Sequence, residues 1–277
     1  MTDPKRQHYI AQMHLAHFTD VDGRLHYHDK RAGDEIRAAY PNDVFFKKHL
    51  YTVTKADGSR DVGLEKEFSR IEGAVSPLFK RIIEASRANT VPSLDDEERQ
   101  GLQQYFYYQW KRVPEFHARI SSLESFDVML PTFITELERA RGEPFDPNER
   151  ARLTSPEGRK QMFEMARARA IADPGIEVLK VIDKVGLRFG RISAPAELVI
   201  GSQPVAVVRH PGTGPYEIWL PIAYDTGLVL TQLRGSSEYF VVEDPGVAAR
   251  INAAMFAQSF LIAGRSRAVV EQLVTSA

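Results

Sequence analysis

The sequence predicts an α+β fold, a helical N-terminal two-thirds packed with a C-terminal antiparallel sheet and a final helix, on three observations. Apolar residues recur at three- and four-residue spacings through most of the first 180 positions. From about residue 185 that period gives way to short runs rich in β-branched and aromatic residues, punctuated by Gly and Pro. The stretch GVAARINAAMFAQSFLIAG near the C-terminus then reads as one closing helix. Helices followed by strands, rather than alternating with them, indicate segregated layers. No internal repeat, low-complexity run or linker cuts the chain, so residues 1–277 are expected to form one domain: helix-rich over 1–180, strand-rich over 185–245, closed by a helix over 246–275.

HYIAQMHLAHF, His8 to Phe18, reads as an opening helix of three turns. Asp22-Gly23 then marks a turn, and RLHYHD alternates as a half-buried strand with Leu25 and Tyr27 inward, His26 and His28 outward. PNDVFFKKHLYTV runs from a turn into a short helix or strand whose Phe45, Phe46, Leu50 and Tyr51 call for burial. Leu64, Phe68, Ile71, Val75, Leu78 and Ile82 then line one face of a long helix, bent near Pro77. Ser93 to Asp96 resembles a capping signal for an aromatic helix that stops before Pro114. Further helices are expected over about 119–140 and 156–171, separated by the loop RGEPFDPNE. GLRFGRI, AELVIGS, VAVVRH, YEIWLPI, LVLTQL and SEYFVVE read as strands, and HPGTGPYE, with Gly212 and Gly214 but no P-loop Lys, as a hairpin turn.

Composition narrows the function classes. With 36 Lys+Arg against 37 Asp+Glu, the formal charge of -1 provides no global field for phosphate backbones or anionic lipid, and leaves only a local basic groove. The absence of cysteine removes thiolate nucleophiles, disulfides and Cys-ligated zinc together, and suits a reducing cytoplasm. No apolar run reaches the roughly 20 residues of a membrane helix and the N-terminus is polar, so no membrane partner and a cytoplasmic location are expected. YFYYQW, residues 105–110, covers the whole circumference of its helix and reads as core rather than a base-stacking face. RKQMFEMARARA reads as a solvated amphipathic face, with Arg159, Arg167 and Arg169 as a candidate phosphate-binding stripe.

Three of the eight histidines fall in the opening segment. On a helix that advances about 100° per residue, Gln12 lies near 40° from His8, His14 near 240° and His17 near 180°. A three-histidine cage is therefore excluded there. His14 and His17 read as polar-face residues, because a pair at i, i+3 lacks the further ligands a metal needs. His8 and Gln12 share a face.

His8, Tyr9, Gln12, Leu15 and Phe18 resemble the His-Tyr-x-Pro-Gln-x-x-Leu-x-x-Phe signature of a bacterial family known as domain of unknown function 4238, with Ala11 in place of Pro. The resemblance extends along most of the chain. LHYHDK resembles a strand ending in a Tyr-x-Asp-like element and brings Asp29. LEKEFSRIEG resembles a Glu-Lys-x-Leu-x-x-Ile-Glu helix and brings Glu65, Ile71 and Glu72, with Phe68 for Leu. KRVPEF resembles Arg-Thr-Pro-x-Phe through Arg112, Pro114 and Phe116. IGSQPV stands where the family has Ser-Asp-Asn-Pro-Val; Pro204 and Val205 agree, and Ser202 replaces the Asp, a departure that would impair this member if that Asp is catalytic.

From these positions we read His8, Glu72 and Glu65 as candidate catalytic residues and Gln12, Arg112, Tyr9, Asp29, Ser202 and Gln203 as candidate substrate-binding residues. Glu65 and Glu72, seven residues apart, project on nearly the same side of a helix about 10 Å apart, too far to clasp one metal ion. They bracket a substrate as acid and base, or pair separately with Arg112 and His8. A Glu–His contact would raise the imidazole pKa and orient its tautomer, and Arg112 could neutralise a phosphate or carboxylate. Without cysteine or a Gly-x-Ser-x-Gly elbow, water is the economical nucleophile. The expectation is a hydrolase of a phosphodiester or nucleotide-like substrate, nuclease-like, with nucleic acid or nucleotide as partner. A divalent metal is compatible with the carboxylates, but no spacing indicates one, and no other cofactor is specified. The competing reading is a non-catalytic ligand- or protein-binding module in which the His/Glu/Arg cluster fixes packing.

Overall fold

The computed structural model, which describes residues 6–54, 59–114, 123–173, 175–209, 216–231 and 237–276, opens with a strand where the sequence suggests a helix. Arg6–His8 forms β1, and it pairs antiparallel with β4 (Phe46–Lys48), His8 opposite Phe46. The Tyr9 N–H extends the pairing by donating to the Phe45 carbonyl at 3.0 Å. Helix begins only at α1 (Gln12–Leu15), followed by a 3-10 turn over Ala16–Phe18. Ala11 has no side-chain oxygen to cap the free N–H groups of a helix end, so the preceding backbone is better satisfied in the ladder.

His14 corrects a second expectation, for it lies in the core rather than on a polar face. Its Nε2–H donates to the Pro221 carbonyl at 2.7 Å, which leaves Nδ1 to accept from the Tyr105 hydroxyl at 3.1 Å. The carbonyl can only accept, so it sets the tautomer. The ring also stands edge-on to Phe79 at 5.2 Å. Complete burial pushes its pKa down to about 3 despite the Pro221 carbonyl, and the imidazole is neutral at physiological pH.

The helical layer follows the predicted periods most closely in α2 (Gly63–Arg87), where Phe68, Ile71, Val75, Leu78 and Ile82 are buried on one face. α3 (Asp96–Lys111) starts from a capping box: the Asp95 side chain accepts from the Glu98 N–H, and the Glu98 carboxylate accepts from the Asp95 N–H. Its Tyr105, Phe106 and Tyr108 are enclosed, as the crowded aromatic run requires. α4 (Leu123–Arg141) and α6 (Pro156–Ala172) occupy the two further helical windows. The loop between them is shorter than expected, because Asp146 caps an additional helix, α5 (Pro147–Thr154), and another, α7 (Ile176–Val185), precedes the strands. α4 and α6 share a small satellite core of Phe126, Leu130, Ile134 and Met162. The Arg stripe on α6 is largely committed to packing: Arg167 donates to the Leu50 carbonyl and Arg159 pairs with Asp127.

β5 (Val53–Thr54) and β6 (Arg60–Asp61) pair antiparallel just before α2, and two larger sheets follow. One is ordered β12 (Tyr239–Val242), β7 (Leu187–Ile192), β11 (Thr226–Leu230), β10 (Tyr216–Ala223), β9 (Ala206–Arg209). Its pairs are antiparallel, as the short connections suggest, except that β12 runs parallel to β7. Gly190 and Gly227 lie opposite each other, and a Cβ at either would stand under 3.0 Å from the Trp219 ring, so both must be glycine for that indole to be buried. The hairpin glycines Gly212 and Gly214 lie outside the described residues.

The other sheet is ordered β3 (Ile36–Ala39), β2 (Leu25–Asp29), β13 (Leu261–Gly264), β8 (Ile200–Gly201). β13 splits the single closing helix of the sequence reading into α8 (Pro245–Gln258) and α9 (Arg267–Thr275). A buried apolar run of four residues is indistinguishable from helix by periodicity. The split also explains His28, expected outward but buried. His28 pairs with Ile262 and Ile36 on the face that α8 and α9 cover, and its ring stacks on Phe256 at 6.3 Å. Leu25 and Tyr27 face the main core, as predicted. Among the described residues no helix is long and apolar enough to cross a membrane.

His14 ties α1 to β10 and α3, so His14→Ala is expected to destabilise by about 2–4 kcal/mol through lost packing and two unpaired buried partners. Because its folded pKa is depressed, the stability it contributes is complete above about 6.5 and is lost as pH falls towards 3. Urea midpoints measured between pH 7 and 4 should therefore fall less steeply in His14→Phe than in the native chain.

Candidate functional site

The end of β1 and the polar face of α2 form the two sides of an open cleft of about 450 Å³. Arg6 and His8 come from β1, Gln12 and Met13 from α1, and Glu65, Ser69, Glu72, Gly73 and Ser76 from α2. The α2 positions are spaced by one or two turns and adjoin the buried face, which is why one amphipathic helix supplies both core and floor. His8 and Gln12 share the cleft, although His8 sits in a strand and the shared helical face does not exist.

Glu65 is the most perturbed group of the cleft. Burial pushes its pKa up to about 7; Glu72 adds to the rise and Arg112 opposes it. Among the described residues the carboxyl takes part in no hydrogen bond or ion pair, and its burial leaves it to exchange its proton close to neutrality. The His8 pKa is lowered, mainly by burial, while the Asn42 and Pro41 carbonyls and the Glu72 carboxylate pull it up and Arg112 pulls it down. Its ring lies 5.7 Å from Phe46, and its Nε2 is covered and has no hydrogen-bond partner. The expected Glu–His hydrogen bond and raised imidazole pKa are thus replaced by a neutral imidazole.

The reason lies in Arg112, at the C-terminus of α3, whose side chain is only 3% exposed. One end of its guanidinium, Nη1, donates to Glu72 Oε1 at 2.6 Å; the other, Nη2, donates to the His8 carbonyl at 2.5 Å. Its Cζ stands 4.5 Å from the Phe68 ring centre, and the Tyr51 hydroxyl donates to its carbonyl at 2.9 Å. Burial works against the charge, and the Tyr51 and Glu72 oxygens outweigh it, so the guanidinium stays protonated. Arg112 does not face a ligand, as the sequence reading had it. It fixes Glu72 and β1 from behind the floor.

The remaining candidates lie elsewhere. Tyr9 packs in the core edge-on to Phe45. Asp29 ends β2 and holds Arg31 through both carboxylate oxygens, at 2.9 and 2.8 Å. Ser202 and Gln203 are buried after β8, where Ser202 Oγ accepts from the Phe260 and Leu261 N–H groups at 3.1 and 3.2 Å and Gln203 N–H donates to Ser259 Oγ. A carboxylate at position 202 could accept the same two N–H groups, so the departure to Ser leaves that structural task done. Phe116 lies outside the described residues. Sequence reasoning missed Arg6, Ser69, Gly73 and Ser76; the last three are legible as the helical neighbours of Glu65 and Glu72 on α2.

The cation that the cleft itself presents is Arg6, largely exposed, 4.7 Å from the Phe46 ring centre and paired with Asp43 at 3.2 Å. Among the described residues no group of three or more His, Asp or Glu is placed to hold a metal ion. A larger groove of about 960 Å³ runs between α2, α3 and α7. Its principal polar groups are already engaged, Asp95 and Glu98 in the α3 cap and Asp183 with Gln103, so the smaller cleft is the better candidate.

No curated protein and no solved structure matches the chain. The family model described as protein of unknown function (DUF4238) matches residues 6–269, and it includes every cleft residue named above. The chain belongs to the DUF4238 family.

Proposed function

We propose that the cleft hydrolyses a phosphodiester or nucleotide-like substrate by acid–base catalysis, with water as nucleophile, in the bacterial cytoplasm. The observation that carries this reading is the unpaired Glu65 carboxyl with a pKa near 7, facing the same cleft as a neutral imidazole. Two titratable groups, an imidazole lowered below its ordinary value of 6.5 and a carboxyl raised to about 7, are the parts an acid–base pair requires. His8 takes the proton of the attacking water as its oxygen bonds to phosphorus. Glu65 gives a proton to the leaving oxygen as the phosphorus–oxygen bond breaks, and the products are an alcohol and a phosphomonoester. Gln12 and Arg6 bind the non-bridging oxygens. The cleft tolerates an anion because Arg112 neutralises Glu72 and burial keeps Glu65 partly protonated.

The sealed Arg112–Glu72 pair and the covered His8 Nε2 favour a second reading, a binding module without turnover.

Turnover of bis(p-nitrophenyl) phosphate and a nucleotide panel, with and without divalent metal, separates the two. Hydrolysis should follow a bell in pH: it rises through a pKa below 6.5 as His8 loses its proton and falls near 7 as Glu65 does. Glu65→Gln and His8→Ala should each lower kcat by about 10²–10⁴-fold with the fold intact. A flat profile, or ligand retention without turnover, contradicts the hydrolase.

A stability measurement accompanies it. The raised Glu65 pKa means that the carboxyl favours folding below about 4.5, and that this advantage is lost as pH rises through about 7. Glu65→Gln should therefore raise Tm at pH 8 by a few degrees and leave it unchanged near pH 4. Arg112→Ala, which strands Glu72 and the His8 carbonyl, should lower stability by about 3–5 kcal/mol in urea unfolding.

A further inference from the structure

The polar face of α2 does not end with the cleft. At about 100° per residue, Lys80 and Arg87 fall in the same sector of the helix as Glu65, Ser69, Glu72 and Ser76. The rise of the helix puts Lys80 about 12 Å and Arg87 about 22 Å beyond Glu72. The opposite wall continues in parallel: Gln12 and Met13 line the cleft, and the 3-10 turn that follows brings His17 beside Lys80 and Arg87, whose charges add to burial in lowering its pKa.

This end of the face is cationic. Arg87 holds Asp225 through both carboxylate oxygens at 2.8 and 3.2 Å, and its Cζ lies 5.1 Å from the centre of the Tyr224 ring. Arg265, which leads from β13 into α9, covers the same ring at 4.2 Å. Asp225 balances one charge. Lys80 and Arg265 have no ion pair among the described residues; of the nearby acids, Glu84 is exposed on α2 and Glu197 accepts from the Ser266 hydroxyl at 2.7 Å. A guanidinium stacked on a ring keeps its in-plane N–H donors free for an oxyanion.

We propose that this cationic end of α2 is a phosphate-binding shelf continuous with the cleft, and that the substrate is a single-stranded oligonucleotide whose backbone runs from the cleft onto Lys80 and Arg265. The inference rests on the hydrolase reading for the chemistry at the cleft, but not for the binding. One phosphodiester unit seated between His8 and Glu65 does not reach Lys80, about 22 Å beyond Glu65 along the helix; a chain of several does. A groove with a cationic track is how single strands are held.

Fluorescence anisotropy tests the shelf, with labelled oligothymidylate and oligouridylate of about 12 nucleotides. Lys80→Ala/Arg265→Ala should weaken binding about tenfold in low salt and reduce the slope of log affinity against log salt by about 1.4, two phosphate contacts at about 0.7 each. The DNA and RNA arms show which sugar is preferred. Arg70→Ala/Lys180→Ala, which removes two exposed cations from the other groove, should change neither. Equal losses in both double variants, or none in the first, overturn the proposal. Turnover of bis(p-nitrophenyl) phosphate should be unchanged in Lys80→Ala/Arg265→Ala. Oligonucleotide bound through the shelf by a native chain that hydrolyses nothing would remove the hydrolase reading and leave the shelf standing.

Discussion

The buried guanidinium of Arg112 is the interaction on which the geometry of the cleft depends. A charge taken out of water costs several kcal/mol unless it is paired and hydrogen-bonded. Here one end of the fork is satisfied by Glu72 on α2 and the other by the backbone of His8 on β1, so the C-terminus of α3, the middle of α2 and the first strand are fixed by one planar group. Lys would not do this equally well, because a point charge lacks the two diverging donors. The arrangement also consumes the charge. Arg6, and not Arg112, is the basic residue that lines the cleft.

The electrostatics of the floor follow from that pairing. Glu72 is compensated from beneath, whereas Glu65, two helical turns earlier, is half-buried with no ion-pair partner among the described residues, and its proton is held to near neutrality by loss of hydration. The two carboxyl groups therefore differ in their surroundings although they lie on one face of one helix. Further along the same face the side chains change from acids to Lys80 and Arg87. α2 thus carries its core stripe on one face and, on the other, two acids followed by two basic residues along a single 25-residue helix.

Much of this was legible in the sequence, and the exceptions share a cause. Periodicity located α2 and its buried face, the capping signal read at Ser93 to Asp96 announces α3 although the box itself is Asp95 with Glu98, and the strands after residue 185 lie where β-branched runs put them. Glu65 and Glu72 come from the resemblance of LEKEFSRIEG to the family helix, and helical spacing puts them on one side of it. His8 and Gln12 were grouped correctly for a reason that does not hold, since a strand, not a helix, carries the imidazole. What sequence does not encode directly is depth. His14 and His28 are amphiphilic enough to sit in water or in the core, and only their partners, Pro221 and Tyr105 for one and Phe256 for the other, decide. Arg112 reads as an open cation until Phe68 and Tyr51 are seen around it. Leu261–Gly264 reads as helix because an inner strand and a buried helix are equally apolar. Asp29, Ser202 and Gln203 belong to the second sheet, where an ion pair and backbone hydrogen bonds account for them.

The cleft owes its character to a Glu65 carboxyl that titrates near neutrality beside a Glu72 compensated by Arg112. Carbon-13 NMR of side-chain carboxyl groups, assigned by comparison with Glu65→Gln, measures this without reference to any substrate. The Glu65 midpoint is expected at about 7 and to fall when Glu72→Gln removes the neighbouring charge. A midpoint at the ordinary value of 4.5 would contradict it.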